Sequence, residues 1–223
     1  MMIIVIDGPA GSGKSSTAKA IANNLGIQYL DSGAIYRAVT LIWIEQGKPP
    51  VDNLLMSLSE RSFHFSFENN MFHVFVDGND ITDKIRSEKV SGHVSETAAN
   101  KRVREFVNQL MREAVKSNTF IADGRDLGSA VFPDAFIKFY MDAAVETRAE
   151  RRFLEINEKG NDVSFDDVKK NIEQRDRKDT RRSADPLKKV DDAIVIDTTS
   201  LTFSEQVDKM CTIIKQRIHK LKH

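Results

Sequence analysis

The chain alternates short β-branched apolar runs with longer segments in which apolar residues recur every three or four positions. The first pattern predicts buried strands and the second predicts amphipathic helices. Strands that alternate with helices indicate an α/β fold, in which a parallel sheet carries helices on both faces. The predicted strands cover residues 2–6, 27–30, 119–122, 136–141 and 193–196, and the predicted helical segments cover about 14–25, 34–46, 87–117, 144–158, 164 onwards and 203–220.

One stretch departs from this pattern, because residues 62–68 and 71–77 alternate apolar and polar positions around Asn69 and Asn70. A two-residue turn between alternating runs predicts an antiparallel hairpin, and with it an inserted small subdomain at about 48–86. The register that such a turn imposes places six apolar side chains on one face. It sets Phe63 opposite Val76, Phe65 opposite Val74 and Phe67 opposite Phe72.

Composition narrows the classes of function. Lys and Arg number 33, and Asp and Glu also number 33, so the formal net charge is zero, which argues against a nucleic-acid partner. Cys211 is the single cysteine, so an intrachain disulfide is excluded. The apolar runs are shorter than the roughly 18 residues of a membrane span, and the first residues lack a basic leader. We expect a cytoplasmic, monomeric protein without a membrane partner.

One motif carries chemistry: residues 8–15 match G-x-x-x-x-G-K-[ST] between a predicted strand and a predicted helix. In such a loop, glycines let backbone N–H groups converge on phosphate oxygens, and the helix N-terminus adds a positive field. Lys14 would bring charge to the β- and γ-phosphates, and the Ser15 hydroxyl would ligate Mg²⁺. The motif therefore predicts a nucleoside-triphosphate site. The residues assigned to it are Gly8, Pro9, Ala10, Gly11, Ser12, Gly13, Lys14, Ser15 and Ser16.

The arginines indicate how the bound triphosphate is used. A guanine-reading N-K-x-D motif is missing, because Asn100-Lys101 continues with Arg102-Val103. Several arginines instead stand in loop-adjacent places, although the net charge is zero, and their planar forks grip phosphate. This favours phosphoryl transfer to a second, phosphorylated substrate. The arginines are Arg37, Arg125, Arg151, Arg152, Arg175 and Arg182.

Three further segments make the chain resemble the bacterial cytidylate kinases over essentially its whole length. They read Leu-Asp-Ser-Gly-Ala-Ile-Tyr-Arg at 30–37, Ile-Ala-Asp-Gly-Arg-Asp at 121–126 and Gln-Arg-Asp-Arg-Lys-Asp at 174–179. The resemblance implies one P-loop NTPase-type three-layer domain over 1–223, with a five-stranded parallel sheet. It also implies an NMP-binding insert with a small antiparallel sheet at about 48–86, and a lid at about 153–172. Lys178 departs from the pattern, because close relatives often carry arginine there.

The implied activity is transfer of the γ-phosphate of ATP to CMP or dCMP with Mg²⁺, giving ADP and CDP or dCDP. Arginines and Lys14 would neutralise charge on the transferring group. Asp123, at the end of the third strand, would either orient Mg²⁺ through water or serve the acceptor. The resemblance implies catalytic roles for Lys14, Arg125 and Arg175, acceptor-phosphate contacts for Ser32, Arg37 and Arg125, sugar and phosphate contacts for Arg175 and Asp179, and lid roles for Arg151 and Arg152.

The resemblance also implies a cytosine pocket. Cytosine offers an amino donor at N4 and acceptors at N3 and O2. A carboxylate that faces N4 and guanidinium or hydroxyl donors that face N3 and O2 would complement the base. The residues implied for this pocket are Ser95, Arg104, Asp126 and Arg182.

Other interpretations stay open. Arg104 lies in a charge run, which on a helix is usually a solvated face. Residues 124–126 could form an ordinary turn, and the basic stretch 175–189 could be a nucleic-acid patch. At the level of function, the alternatives are another small-molecule kinase, such as one for adenylate or shikimate, and a nucleotide-dependent regulator that binds RNA or protein. Acceptor screening separates the first, and a lack of acceptor-stimulated ADP formation identifies the second.

Overall fold

The computed structural model describes residues 2–158, 160 and 163–221. Strands and helices alternate along most of this chain, as the apolar pattern predicts. The strands are β1 (Ile3–Asp7), β2 (Gln28–Asp31), β3 (Phe63–Glu68), β4 (Met71–Val76), β5 (Asn79–Asp80), β6 (Phe120–Gly124), β7 (Ile137–Asp142) and β8 (Ile194–Asp197). The helices are α1 (Lys14–Leu25), α2 (Ser32–Glu45), α3 (Val51–Ser59), α4 (Glu88–Ala98), α5 (Lys101–Ala114), α6 (Val145–Asn157), α7 (Phe165–Arg181) and α8 (Phe203–Leu221), with a 3-10 turn at Lys84–Arg86 and a π-helical turn at Leu127–Val131.

The main sheet has five parallel strands in the order β2-β6-β1-β7-β8. Its central strand, β1, buries Ile4, Val5 and Ile6 completely, because it is covered on both faces. The predicted five-stranded parallel sheet is therefore confirmed. The carboxyl ends of β1, β2 and β6 lie side by side, and parallel sheets bind ligands at this edge.

The predicted hairpin has the predicted register, with Phe63 opposite Val76 and Phe67 opposite Phe72. Asn69 and Asn70 adopt φ values of 51° and 63°, which a two-residue turn with the right twist requires. The structure adds β5 as a third strand and α3 after the proline pair, neither of which we expected. The division of the chain into a kinase domain, an insert and a lid stays a prediction.

The segment expected to be helical from 87 to 117 is two helices, α4 and α5. Asn100 separates them, because its side-chain oxygen accepts hydrogen bonds from the backbone N–H groups of Arg102 and Val103, at 3.0 and 3.3 Å. This is an N-cap, and it starts a new helix. Within the described residues, no helix is long and apolar enough to cross a membrane.

Helices α6 and α7 pack on each other around a small apolar cluster of their own. Ala149, Val168 and Ile172 form its centre, separate from the core that surrounds the main sheet. The helix break predicted between the two helices, at 159–162, falls mostly on Lys159, Asn161 and Asp162, which lie outside the described residues.

Candidate phosphate-transfer site

The predicted phosphate loop connects β1 to α1 and opens at the carboxyl edge of the sheet. Gly8 has a φ of 152°, and a Cβ there would lie 2.0 Å from the carbonyl oxygen of Met141 on β7. Only glycine fits so close an approach to the neighbouring strand. The loop is therefore held at the position where the N-terminus of α1 can meet an anion.

Lys14 begins α1 and is only 4% exposed. Its ammonium donates hydrogen bonds to the carbonyl oxygen of Pro9 at 2.6 Å and to the hydroxyl of Ser12 at 3.2 Å. Both partners are neutral. Burial, and then the positive charge of Arg125, lower the pKa of Lys14 well below its usual range. An incoming anion would favour the charged form of this lysine.

Next to Lys14, the Ser15 hydroxyl donates a 2.7 Å hydrogen bond to one carboxylate oxygen of Asp123 on β6. The Tyr29 hydroxyl donates to the other carboxylate oxygen at 2.6 Å. Burial, and then the negative charge of Asp31, raise the pKa of Asp123. A hydroxyl and a buried carboxylate beside a phosphate loop are oxygen ligands of the kind that Mg²⁺ takes together with substrate phosphates. These residues therefore fit a magnesium ion.

Three arginines from different elements influence one another electrostatically: Arg37 of α2, Arg125 directly after β6 and Arg175 of α7. Arg125 Nε donates to Asp179 Oδ2 at 2.8 Å, and Arg37 Nη2 stands 3.5 Å from Asp31 Oδ2. Among the described residues, the buried Nε of Arg37 has no hydrogen-bond partner. Loss of solvent, and then the charge of Arg125, lower the pKa of Arg175. These cations repel one another and are only partly neutralised by protein.

A second group of charges lies at the start of α5 and the end of α7. Arg104 is 1% exposed, so the alternative of a solvated helix face is wrong for this residue. Its Nη2 donates to Asp126 Oδ2 at 2.5 Å and its Nε donates to Asp185 Oδ2 at 2.9 Å. Arg182 Nη2 donates to Asp126 Oδ1 at 2.8 Å. Both oxygens of Asp126 are therefore engaged by arginines.

The ring of Tyr36 lies against this second group, with the Arg104 guanidinium 5.3 Å from the ring centroid. Burial alone would lower the pKa of Arg104, but the electrostatic interactions of its guanidinium with Tyr36 and Asp126 outweigh burial, and the pKa is raised. Sequence reasoning missed Tyr36 and Asp185 here. Tyr36 stands inside the segment 30–37 that carries the resemblance, which was the available signal.

The two predicted serines lie on different sides of the site. Ser32 is buried at the start of α2 and donates to the main-chain carbonyl oxygen of Asp123 at 2.6 Å. Ser95 is exposed on α4, one turn before Ala98. The carbonyl oxygen of Ala98 accepts from Arg104 Nη1 at 3.2 Å, so Ser95 stands on the helix that borders the second group of charges.

The two arginines predicted for the lid separate in the structure. Arg151 Nη2 donates to the carbonyl oxygen of Thr198 at 2.7 Å, after the end of β8. This hydrogen bond holds the Arg151 guanidinium beside β8, and Arg151 does not join the group of cations around the phosphate loop. Arg152 pairs with Glu155 at 2.9 Å, and its charge contributes to lowering the pKa of Arg175. Of these two arginines, Arg152 is therefore the one that lies near the other arginines predicted to bind phosphate.

Sequence reasoning also missed Asp7, the last residue of β1. Its two carboxylate oxygens accept from the backbone N–H groups of Leu127 and Gly128, at 2.9 and 2.7 Å. Burial raises the pKa of Asp7 to about 6. Asp7 therefore fixes the turn that comes after Arg125 and Asp126. An acidic residue at the ligand edge of the first strand was the signal for it.

Known proteins resemble this chain over almost its whole length. A family model described as cytidylate kinase matches residues 4–216. The chain is 43% identical over 213 residues to the cytidylate kinase of Clostridium botulinum (strain Hall), covering 96% of this chain and 97% of that protein. It is 42% identical over 219 residues to the cytidylate kinase of Lactobacillus johnsonii, covering 97% of this chain and 95% of that protein.

Among solved structures, the chain is similar to an uncharacterized protein from Eubacterium ventriosum. The TM-score is 0.52 at 13% identity, over 98% of this chain and 99% of that one. At so low an identity, the likeness concerns the fold alone.

Proposed function

This chain belongs to the cytidylate kinase family and is a phosphotransferase that phosphorylates CMP or dCMP with ATP, and we propose how its residues divide that work. One observation carries the proposal. Lys14, Arg37, Arg125 and Arg175 surround the carboxyl edge of the sheet, and protein carboxylates neutralise them only in part. Such a cluster is stabilised by the phosphates of two nucleotides that meet end to end.

The donor side consists of the loop and α1. The backbone N–H groups of the loop and the Lys14 ammonium bind the β- and γ-phosphates of ATP. Ser15 would hold Mg²⁺, and Asp123, which accepts a hydrogen bond from Ser15, would orient the ion. When bound, Mg²⁺ supplies positive charge to the phosphate oxygens. This assigns Asp123 to the metal rather than to the acceptor, which the sequence had left open.

The acceptor side consists of Ser32, Arg37 and Arg125, with Arg175 facing the transferring group. The acceptor phosphate of CMP is already ionised at pH 7, so no general base is needed, and catalysis is in-line positioning with charge neutralisation. Asp179 holds the guanidinium of Arg125 through Oδ2, and its Oδ1, which lies 3.9 Å from Nη1 of Arg182, would accept a hydrogen bond from a ribose hydroxyl.

The base side consists of Arg104 and Arg182, whose remaining N–H groups would donate to N3 and O2 of cytosine, with Ser95 on the neighbouring helix. Asp126, whose oxygens both accept from these arginines, orients them instead of reading N4 itself. This revises the expectation from sequence. Uracil presents N–H at position 3, where these donors need an acceptor. We expect CMP to be preferred over UMP by at least about tenfold in kcat/KM.

Three finer expectations belong to the same proposal. The lid expected at about 153–172 closes over the site and excludes water, with Arg152, directly before it, at the transferring phosphoryl group. The enzyme works as a monomer, which sedimentation at several concentrations would test. It works in the cytoplasm, which fractionation of cells would test.

The direct experiment couples ADP formation to a recorded signal and supplies ATP and Mg²⁺ with CMP, dCMP, UMP or AMP, or with no acceptor. We expect CMP and dCMP to stimulate ADP formation most. A preference for AMP would contradict the base assignment. ADP formation that no acceptor stimulates would contradict the transfer itself.

A further inference from the structure

We propose that Arg148 and Asp176 are positioning residues that set the shape of the phosphate loop from helices α6 and α7. Arg148 Nη1 donates to the carbonyl oxygen of Ala10 at 2.8 Å. Asp176 Oδ1 accepts from the backbone N–H of the same residue at 3.0 Å. The two side chains also pair with each other, with Nη1 of Arg148 2.5 Å from Oδ2 of Asp176. We call these three contacts the Ala10 clasp.

The clasp fixes the loop where its direction is decided. Both hydrogen-bonding groups of Ala10 are engaged, so the peptide planes on either side of this residue cannot rotate freely. Gly11 comes directly after it with a φ of 75°. A Cβ on Gly11 would lie 3.2 Å from the carbonyl oxygen of Arg148 and 3.3 Å from a methyl group of Ile172. The loop is thus enclosed between α6 and α7. Because the backbone of Ala10 is fixed, the directions of the following backbone N–H groups are fixed as well.

The clasp is itself held in place. Arg148 is 4% exposed, and its Nε donates to the carbonyl oxygen of Ala143 at 2.9 Å, so the connection between β7 and α6 orients the guanidinium. A buried ion pair is weak evidence for added stability, since desolvation offsets the attraction. Its value here is geometric, because it places one donor and one acceptor on a single loop residue.

The clasp also links two separately packed parts of the molecule. Helices α6 and α7 have their own apolar cluster around Ala149, Val168 and Ile172. A shift of this helix pair would pull on both backbone groups of Ala10 and change the aim of the loop. The inference rests on the proposed binding of ATP at this loop, and it predicts that loss of the clasp affects ATP and spares CMP.

The test compares Asp176→Ala, Asp176→Asn and Arg148→Lys with a control, Glu146→Gln. Glu146 pairs with Lys169 at 2.7 Å, an exposed link between the same two helices that does not touch the loop. We expect Asp176→Ala to raise the KM for ATP by at least about tenfold and leave the KM for CMP within about twofold, a tenfold change being about 1.4 kcal/mol. Asp176→Asn keeps one acceptor for Ala10 and should lose less. Glu146→Gln should leave both KM values unchanged.

If Arg148 and Asp176 only stabilise the fold, the variants should behave differently. All three clasp variants would then lose folded protein and kcat, with both KM values unchanged, and the proposal would be wrong. ADP titration calorimetry on the same variants measures loop binding without any transfer. If wild-type enzyme lacked CMP-stimulated ADP formation, the proposed function would fail, while this titration would still test the clasp.

A measurement on the wild type needs no variant. The Ala10 amide should exchange its hydrogen slowly without nucleotide, because Asp176 already accepts from it. Fast exchange of this amide in the free enzyme would overturn the proposal.

Discussion

Two clusters of charge stand at the same edge of the molecule and are built in opposite ways. The phosphate cluster consists of Lys14, Arg37, Arg125 and Arg175. It leaves Nε of Arg37 without a partner among the described residues and has lowered pKa values at Lys14 and Arg175. The base cluster consists of Arg104 and Arg182 with Asp126 and Asp185, and each of its arginines is bonded to aspartate. Arg104 there has a raised pKa.

The contrast indicates which kind of ligand each cluster binds. A set of cations that protein only partly neutralises is completed by an external anion, and phosphate supplies it. A set with as many carboxylates as guanidinium groups needs no external charge. It offers directed N–H donors from a rigid surface, which is what discrimination between neutral bases requires.

The largest expected effect lies in the phosphate cluster. Lys14→Ala should lower kcat by about 10²–10³-fold, because it removes positive charge at the transferring group. The matched control is Lys19→Ala, further along α1, where the ammonium lies 5.7 Å from the ring centroid of Tyr29. Steady-state rates and circular dichroism on both variants check this. Lys14→Ala that keeps more than about a tenth of wild-type turnover would refute the role of Lys14.

Stability should separate the clusters next. Asp126→Asn breaks a pair with the almost fully buried Arg104, which should cost about 3–5 kcal/mol in the free energy of unfolding. Asp179→Asn breaks a pair with Arg125 in which both side chains retain about a fifth of their exposure, and should cost about 1 kcal/mol. Urea unfolding of both variants measures the difference. Equal losses would mean that the two clusters are neutralised to the same degree.

The pH dependence of stability tests Asp7, which holds the turn that follows Arg125 of the phosphate cluster and Asp126 of the base cluster. The pKa of Asp7 is about 6 in the folded chain and about 3.8 as its ordinary value. Between these values the folded state holds a proton that the unfolded state has lost, so this residue's contribution to stability falls as pH rises. The free energy of unfolding of wild type minus that of Asp7→Asn should fall by about 2 kcal/mol from pH 4 to 6. A difference that stays constant would show that Asp7 titrates normally.

The periodicity of apolar residues was enough to predict the main sheet and the hairpin, because burial on both faces or on one face leaves a direct trace in sequence. Helix α3 was missed although Leu54 and Leu58 have helical spacing, and they are fully or nearly fully buried. The division into α4 and α5 depends on one capping residue, Asn100, inside a continuous helical pattern. Local capping chemistry decided this boundary, and periodicity does not record it.

The site was predicted as a set of residues but not as a set of pairs. Motif segments pointed to Lys14 and Asp126, and the family resemblance pointed to Arg104, yet which carboxylate serves which arginine depends on contacts across the fold. Arg148 and Asp176 lie 28 positions apart on two highly charged helices. In the sequence of such a helix, a buried charged residue cannot be distinguished from its exposed charged neighbours. Only the packing of α6 against α7 shows that these two side chains face the loop.

The most direct test of the contrast between the clusters removes one arginine from each. Arg37→Met and Arg182→Met are assayed with CMP and with UMP, and the ratio of the two kcat/KM values is compared with that of wild type. We predict that Arg37→Met lowers both values and leaves the ratio unchanged, because both nucleotides carry the same phosphate. We predict that Arg182→Met lowers the ratio by about tenfold, which corresponds to about 1.4 kcal/mol of discrimination. A ratio that changes with Arg37→Met and stays constant with Arg182→Met would contradict the account.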